Sequence, residues 1–330
     1  MPVIQPMWRI CLITVAWLSL TAAASSRAVG TRSEPVATRM RNTVFHLGHG
    51  IDLRVEDLSG HLISKTSGPP LFDDVKSYIV DVQHARVAMT AESLTNLMNN
   101  YVFASPDAPF KNLRIGIEGG ELTQSGTLKK GIGVPFTIRA TVAATPEGKI
   151  RVHPTKIKAA GFVSKRILDF FGLELENLVK MKNVTAVAVD GDDLLLDPEH
   201  LLPPPQIRGR LTRAAIENGL IVQQFGTAKA SGTIAPTAPR VNNYMYYRGG
   251  LLRFGKLTMT DTDLLLVDAD QKDLFDFSPE QYNDQLVAGY SKNTRSHGLI
   301  VYMPDLADLR RGSTTPVPAV ETQADARRRP

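Results

Sequence analysis

Acidic side chains that could bind a metal or act as paired catalytic carboxylates concentrate in DGDDLLLDPEHLLPPP, residues 190–205. The stretch holds four aspartates, one glutamate and one histidine. Converging carboxylate and imidazole groups can hold a metal or exchange protons with a substrate. Asp190, Gly191 and Asp192 are also common turn residues, because aspartate bonds to nearby backbone and glycine permits positive φ. Pro198 ends the short apolar run that follows. We therefore predict that these acids end strands and carry no catalytic or metal-binding role.

A second acidic cluster lies in DTDLLLVDADQKD, residues 261–273. Asp268 and Asp270 match the first two ligand positions of an EF-hand calcium loop. Lys272 stands where the loop requires a further ligand, and Asp273 stands where it requires glycine. The pattern therefore favours an acidic turn after a strand.

The histidines are scattered, and only His46 and His49 have a spacing that could share a metal. No third ligand is indicated nearby, so we predict a loop pair without metal. The chain also lacks the GxSxG, HExxH, P-loop and GxGxxG motifs. These observations favour a protein that is not an enzyme and has no cofactor. One enzymatic alternative stays open, a metal-dependent hydrolase in which the two acidic clusters meet. Its ligands would come from Asp190, Asp193, Asp197 and His200 together with Asp268 or Asp270.

The N-terminus has the pattern of a secretory signal peptide. Arg9 precedes an apolar run, residues 10–20, and three alanines follow at residues 22–24. The run is shorter than the ~20 apolar residues that span a bilayer. We predict that residues 1–24 are cleaved, that residues 25–42 are a flexible leader, and that the protein is periplasmic or secreted.

Composition excludes some classes of protein. Cys11 is the only cysteine and lies in the predicted signal peptide, so the mature chain would depend on core packing without disulfides. The isoelectric point is near 9.2, but the basic residues are not interleaved with aromatics, which argues against nucleic-acid binding. Several arginines fall in a Pro/Thr/Ala-rich tail, residues 307–330, that we predict to be disordered. Transient contact with an anionic membrane surface is consistent with the net charge of +5.

Strand patterns dominate from Thr43 onward. KNLRIGIE alternates apolar and polar residues, Gly119-Gly120 marks a hairpin turn, and further alternating segments follow at tight turns. The parity of the apolar residues changes near His84 and near Thr155, which predicts β-bulges there. We expect an α+β fold: a long, strongly curved antiparallel sheet wrapped around one or two amphipathic helices.

Two segments have helical periodicity. The first follows Thr90, a predicted N-cap, and the second follows Ser164. Their apolar stripes are Leu94, Leu97, Met98, Tyr101 and Val102 in the first, and Ile167, Leu168, Phe171, Leu175 and Leu178, widened by Phe170 and Leu173, in the second.

The predicted domains follow from these patterns. Residues 43–226 form the curved-sheet domain, and residues 227–240 have the composition of a linker. Residues 241–306 form a small C-terminal β/α extension that more readily continues the sheet than packs as a subdomain. Its helix is predicted to begin at an N-cap Ser278 and to end at a C-cap Gly289.

The segment VAVDGDDLLLDPEHLLPPPQIRGRL, preceded by FVSKRILDFFGLELENLV, resembles bacterial LmeA-like proteins of the tubular lipid-binding (TULIP) superfamily. The resemblance covers roughly residues 43–225 and consists of a pattern of elements. It implies a highly curved antiparallel sheet around a helix, with an apolar groove for acyl chains. The segment GGLLRFGKLTMTDTDLLLVDAD is similar to the repeated strands of AsmA-type envelope proteins, another lipid-associated group.

The function that we expect is lipid binding or transport in the cell envelope by burial of acyl chains. An envelope protein whose groove is filled by its own side chains is the structural alternative. Lipid or another apolar ligand is the expected partner. The predicted lining residues are Leu97, Met98, Tyr101, Phe136, Ile138, Ile167, Phe170 and Phe171.

Overall fold

The chain folds mainly into β-strands. A computed structural model describes residues 33–129, 133–159, 162–164, 186–226, 234–236, 240–294 and 298–312. Within these ranges, every helix is too short or too polar to cross a membrane.

The strands and helices are named in chain order. The strands are β1 (Val36–His46), β2 (Asp52–Ser64), β3 (Tyr78–Met89), β4 (Phe110–Glu118), β5 (Glu121–Leu128), β6 (Val134–Ala144), β7 (Ile150–Ala159), β8 (Phe162–Ser164), β9 (Val187–Asp190), β10 (Asp193–Leu196), β11 (Gln206–Arg208), β12 (Leu211–Glu217), β13 (Leu220–Phe225), β14 (Tyr244–Arg248), β15 (Leu251–Phe254), β16 (Leu257–Thr260), β17 (Asp263–Asp268), β18 (Phe275–Phe277), β19 (Tyr290–Asn293) and β20 (Leu299–Met303). The helices are α1 (Ala91–Leu97), continued by a π-helical turn (Met98–Val102), and α2 (Pro198–Leu201), α3 (Tyr282–Ala288) and α4 (Leu306–Arg310).

In the described part of the chain, the larger sheet has eleven strands. Its main path is β12-β13-β3-β2-β1-β14-β17-β20-β19, with β11 added beside β3 and β18 beside β1. Most neighbours are antiparallel, as predicted. However, β11 with β3, β18 with β1 and β20 with β17 are parallel pairs, so the sheet is mixed. None of the three parallel pairs joins strands that are consecutive in the chain, as expected because parallel strands cannot be joined by a tight hairpin.

Among the described residues, the smaller sheet has seven strands in the order β4-β5-β6-β7-β10-β9, with β8 beside β7. Helix α1 begins as predicted, because the Thr90 side chain accepts a hydrogen bond from Ser93 N at 3.0 Å. The helix and its π turn lie along the free edge of β4, which an unpaired strand would otherwise expose.

Both predicted bulges are confirmed. The pairing of β2 with β3 shifts so that Gln83, next to His84, is the extra residue. The pairing of β6 with β7 shifts at Thr155. Because each bulge adds one residue, the apolar side chains beyond it still point to the core although their parity in the sequence changes.

Two predicted boundaries are wrong. The leader was predicted to run to Asn42, but β1 begins at Val36, which is fully buried and pairs with Leu62. The tail was predicted to begin at Ala307, but α4 covers this position and Ala307 N donates to Asp276 Oδ2 at 3.0 Å. Both segments are ordered because they hydrogen-bond to distant strands. The remaining residues of the leader and tail, and the predicted signal peptide, lie outside the described residues.

The C-terminal block continues the larger sheet, because β14 pairs with β1 over five residues. Helix α3 begins three residues later than predicted, with Gln281 as its N-cap. Ser278 is buried and its backbone N donates to the Gln285 side chain, so it ends β18 instead of capping a helix. Gly289 is the C-cap, as predicted. A side chain there would collide with Tyr302 O, since a Cβ would lie 2.1 Å away.

Buried side chains form a main cluster across the larger sheet and a second cluster on the smaller sheet. A third cluster, around Tyr244, Tyr246 and Leu265, packs against Ile234. Ile234 lies in the predicted linker, so at least this part of the linker is anchored to the sheet.

Candidate apolar ligand site

An apolar cavity lies between the two sheets. The larger sheet contributes side chains from β3 and β13, and the smaller sheet contributes side chains from β4 to β7 and from β9 and β10. Helix α1, the π turn and α2 line the remaining described walls. The cavity therefore occupies the space where the two layers and the predicted first helix meet.

The first helix is fixed over the cavity by side-chain hydrogen bonds to β4. Thr95 Oγ1 accepts a hydrogen bond from Ile115 N at 3.0 Å while donating to Ala91 O. Asn99 bonds reciprocally to Leu113, donating to its carbonyl at 2.7 Å and accepting from its N–H at 3.0 Å. These two polar residues replace a neighbouring strand for β4 and direct the apolar side of the helix towards the cavity.

The structure brings four of the eight predicted lining residues to one site. Leu97, Met98, Phe136 and Ile138 all line the cavity. Tyr101 does not, and its side chain is 40% exposed. The prediction assumed an α-helix throughout, whereas the π turn after Leu97 has a longer repeat and rotates Tyr101 towards solvent. Ile167, Phe170 and Phe171 lie outside the described residues and stay predictions.

Sequence reasoning missed the wall built by the acidic stretch itself. Leu194 and Leu196 of β10 point into the cavity, together with Val187 of β9 and Leu201 of α2. Their signal was the run of three leucines, in which the first and third share one face of a strand. The sequence prediction for this stretch considered its carboxylates and not its leucines.

Two amides are the only polar side chains among the described lining residues, and no ionisable group lines the cavity in this part of the chain. Gln223 is 8% exposed and lies on β13 between Ile221 and Phe225 on the same face. Gln124 lies on β5. Within the described ranges, neither side chain forms a hydrogen bond with another residue.

The cavity has a volume of about 140 Å³. An engineered apolar cavity of ~150 Å³ stays dry and binds benzene. An empty space of this size forgoes about 3 kcal/mol of stability at ~24 cal/mol for each Å³. The site can therefore accept a small apolar group and gains from being filled.

The acids of residues 190–205 have structural partners. Asp193 bonds to His153 Nδ1 at 2.6 Å, which ties β10 to β7 on the side of the sheet facing solvent. Asp197 caps α2 by accepting a hydrogen bond from Glu199 N at 3.0 Å. Gly191 has positive φ in the turn between β9 and β10. These roles agree with the prediction that the stretch serves strand ends and turns.

The second acidic cluster is tighter than the sequence indicated. Carboxylate oxygens of Asp268, Asp270, Asp273 and Asp305 all lie within 4.8 Å of one another, which could hold a cation. Burial raises the pKa of Asp268, and burial with neighbouring carboxylates raises the pKa of Asp305 to about 8. Asp268 also accepts hydrogen bonds from Asn243 Nδ2 and Asp270 N. Protonation and these donors offset the repulsion between the acids.

The two acidic clusters do not join. Among the described residues, the group with metal-ligand spacing contains no member of the 190–205 stretch. The arrangement that the hydrolase alternative required is therefore missing from this part of the chain.

His46 does not form the predicted pair with His49. Its Nδ1 bonds to Asp52 Oδ1 at 2.6 Å and its Nε2 bonds to Asp276 Oδ1. Although burial favours the neutral ring, hydrogen bonds and charges from Asp276 and Asp52 raise the pKa of His46 to about 9. Both ring nitrogens are thus engaged by carboxylates, and the residue connects β1, β2 and β18.

No protein-family model, curated protein or solved structure matches this chain.

Proposed function

We propose that this protein binds lipid through an acyl chain that enters the cavity between its two sheets. The observation that supports this proposal is an apolar space of about 140 Å³ whose described walls carry no ionisable group. Such a space favours hydrocarbon and disfavours ions, because burying an unpaired charge is costly. The function expected of LmeA-like proteins is consistent with this chemistry.

The volume limits how much of a lipid is bound. Each methylene removed from water contributes about 0.8 kcal/mol, and filling the cavity contributes about 3 kcal/mol. These values correspond to about four methylene groups. We infer that the end of a chain occupies the cavity and that the rest of the lipid lies outside it or separates the walls further.

Curvature of the sheets would enlarge the groove that this function needs. The bulges at Gln83 and Thr155 favour stronger local twist and bending. We therefore propose that the smaller sheet curves around α1, as the resemblance to TULIP proteins implies.

A basic face supports a second part of the proposal, transient contact with an anionic membrane. Arg114, Arg139, Lys156 and Lys158 line a recess on the smaller sheet, where they alternate with residues that point to the core. Arg139 is paired with Glu121 at 3.1 Å. The other three form no ion pair within the described ranges. Each such charge contributes about 1 kcal/mol at an anionic surface.

Methionine methyl NMR tests ligand binding directly. Met89 and Met98 line the cavity, whereas Met245 is fully buried in the larger sheet and does not line it. Alkyl ligands of increasing length should shift the Met89 and Met98 signals and leave Met245 nearly unchanged. Affinity should rise over the first few carbons and then level off as the cavity fills. Native mass spectrometry of the exported protein should detect co-purified lipid.

A matched pair of variants places the ligand. Leu194 and Leu195 are neighbours on β10 and both are partly buried, but only Leu194 lines the cavity. Leu194→Trp should abolish the ligand-induced shifts, whereas Leu195→Trp should retain them. Absence of co-purified lipid together with unshifted Met89 and Met98 signals in the wild type would favour the structural alternative.

A further inference from the structure

Gln223 places a polar side chain in the wall of a cavity that is otherwise almost entirely apolar. It is more than nine-tenths buried, lines the cavity and has no hydrogen-bond partner within the described ranges. Its neighbours across the sheet are Ala214 on β12 and Val87 on β3, which offer no polar side chain. A buried amide without a partner destabilises a protein, so such groups usually have one.

The backbone explains why the side chain points inward. On β13, Ile221 and Gln223 share the face that lines the cavity, whereas Gln224 lies on the opposite face beside Arg86 and Glu56. Exchanging the roles of the two glutamines would require a shift of one residue in register, which would move Ile221 and Phe225 to the opposite face of the sheet. The inward position of Gln223 is thus fixed by the packing of the strand.

We propose that Gln223 hydrogen-bonds to an uncharged carbonyl group of the ligand, which makes esterified acyl chains the preferred ligand class. The amide Nε2 donates to the ester carbonyl, and the flanking apolar walls contact the hydrocarbon. An ionised carboxylate is disfavoured, because the described walls hold no cation to pair with it. This inference rests on the proposed function, and it adds which lipids the site selects.

Small ligands matched in length test the inference. Methyl pentanoate and n-heptane both have chains of about seven heavy atoms, so each is long enough to fill a cavity that takes about four methylene groups. Dissociation constants for both are measured from the Met89 and Met98 methyl signals. Comparing each ligand between wild type and variant cancels the different solubilities of ester and alkane.

Gln223→Leu should weaken binding of methyl pentanoate about tenfold and leave heptane binding unchanged or tighter, because the variant loses the more deeply buried of the two amide donors that line the cavity. Gln223→Met, which keeps the side-chain length, should do the same and serves if the leucine variant folds poorly. Gln224→Leu is the matched control and should retain the wild-type preference.

The outcomes separate the two proposals. If wild type binds neither ligand, the proposed function fails and this inference fails with it. If wild type binds both ligands and Gln223→Leu changes the two affinities equally, the cavity binds apolar groups but the role of Gln223 is refuted.

Discussion

Replacing His46 by glutamine should remove a pH-dependent part of the stability. His46 lies at the end of β1 and bonds to Asp52 and Asp276, which are 6 and 230 positions away in the chain. Glutamine retains hydrogen-bonding capacity but carries no charge. The substitution therefore tests the charge of the imidazolium and not merely its contacts.

The direction of the effect follows from the two pKa values. The pKa of His46 is about 9 in the folded protein and 6.5 in the unfolded chain. The folded state therefore holds a proton that the unfolded state releases. The stabilisation is fully present below pH 6.5 and is lost as the pH rises through about 9.

The magnitude has an upper limit set by the same difference. The folded and unfolded values differ by about 2.5, which corresponds to about 3 kcal/mol at ~1.36 kcal/mol for each pKa unit. Water screens part of this interaction, because the side chains of His46 and Asp52 are 21% and 40% exposed. We expect about 2 kcal/mol.

The assay is urea denaturation at about pH 6, pH 7.5 and pH 9. The wild type should lose about 2 kcal/mol more than His46→Gln between the lowest and highest pH. Other titrating groups contribute to both proteins, so the difference isolates His46. Equal pH dependence in the two proteins would refute the argument that the imidazolium stabilises this junction.

Three further substitutions test other parts of the structure. Phe136→Ala should lower the free energy of unfolding by about 3–5 kcal/mol and enlarge the cavity, so that an apolar ligand restores part of the loss; an unchanged denaturation midpoint would contradict its placement in the core. Gly60→Ala should lower the free energy of unfolding by about 3 kcal/mol or more, because the new Cβ would lie 2.2 Å from Asp81 O. Gly68→Ala is the control: its Cβ would meet only Thr66 Oγ1 at 3.8 Å, so the same denaturation experiment should show a change of less than about 0.5 kcal/mol. Asp305→Asn should stabilise the protein near pH 8. Burial raises the pKa of Asp305 to about 8, so the stability that the protonated carboxyl group contributes is lost as the pH rises from 3.8 through about 8. Stabilisation of wild type by Ca²⁺ that the variant lacks would instead identify the acidic cluster as a metal site.

Local patterns in the sequence were sufficient for much of the fold. Bulges near His84 and Thr155 were predictable, because a bulge leaves a change of parity in the apolar residues. The start of β1 was missed because Thr38 and Thr43 are polar in type but fully buried. With Thr38 counted as an inward residue, Val36, Thr38 and Met40 alternate as a strand should.

Contacts between distant segments left no local signal. His46 and Asp276 are far apart in the chain, and the parallel pairing of β1 with β18 brings them together. Helix patterns predicted Leu97 and Met98 in the cavity but misplaced Tyr101, because a π turn follows Leu97 where the prediction assumed an α-helix. The partner of His46 and the orientation of Tyr101 thus depend on tertiary structure, which sequence periodicity does not reveal.

Inward polar residues are the signal that sequence reasoning should have weighed for the site. On β13, Gln223 occupies the same face as Ile221 and Phe225, a position that alternation assigns to the core. A polar residue at a predicted core position indicates either a hydrogen-bond partner or a ligand. Such a residue was more informative here than the acids of residues 190–205, which form hydrogen bonds within the fold.

The stretch from residues 190 to 205 combines polar residues that fix its position with apolar residues that line the cavity. Its acids hold the wall in place: Asp193 bonds to His153 on β7, and Asp197 caps α2. Its leucines form the wall itself, with Leu194 and Leu196 in the cavity. Polar ends that position an apolar surface support the binding function that we propose, in which buried hydrocarbon would supply affinity and Gln223 would supply selectivity.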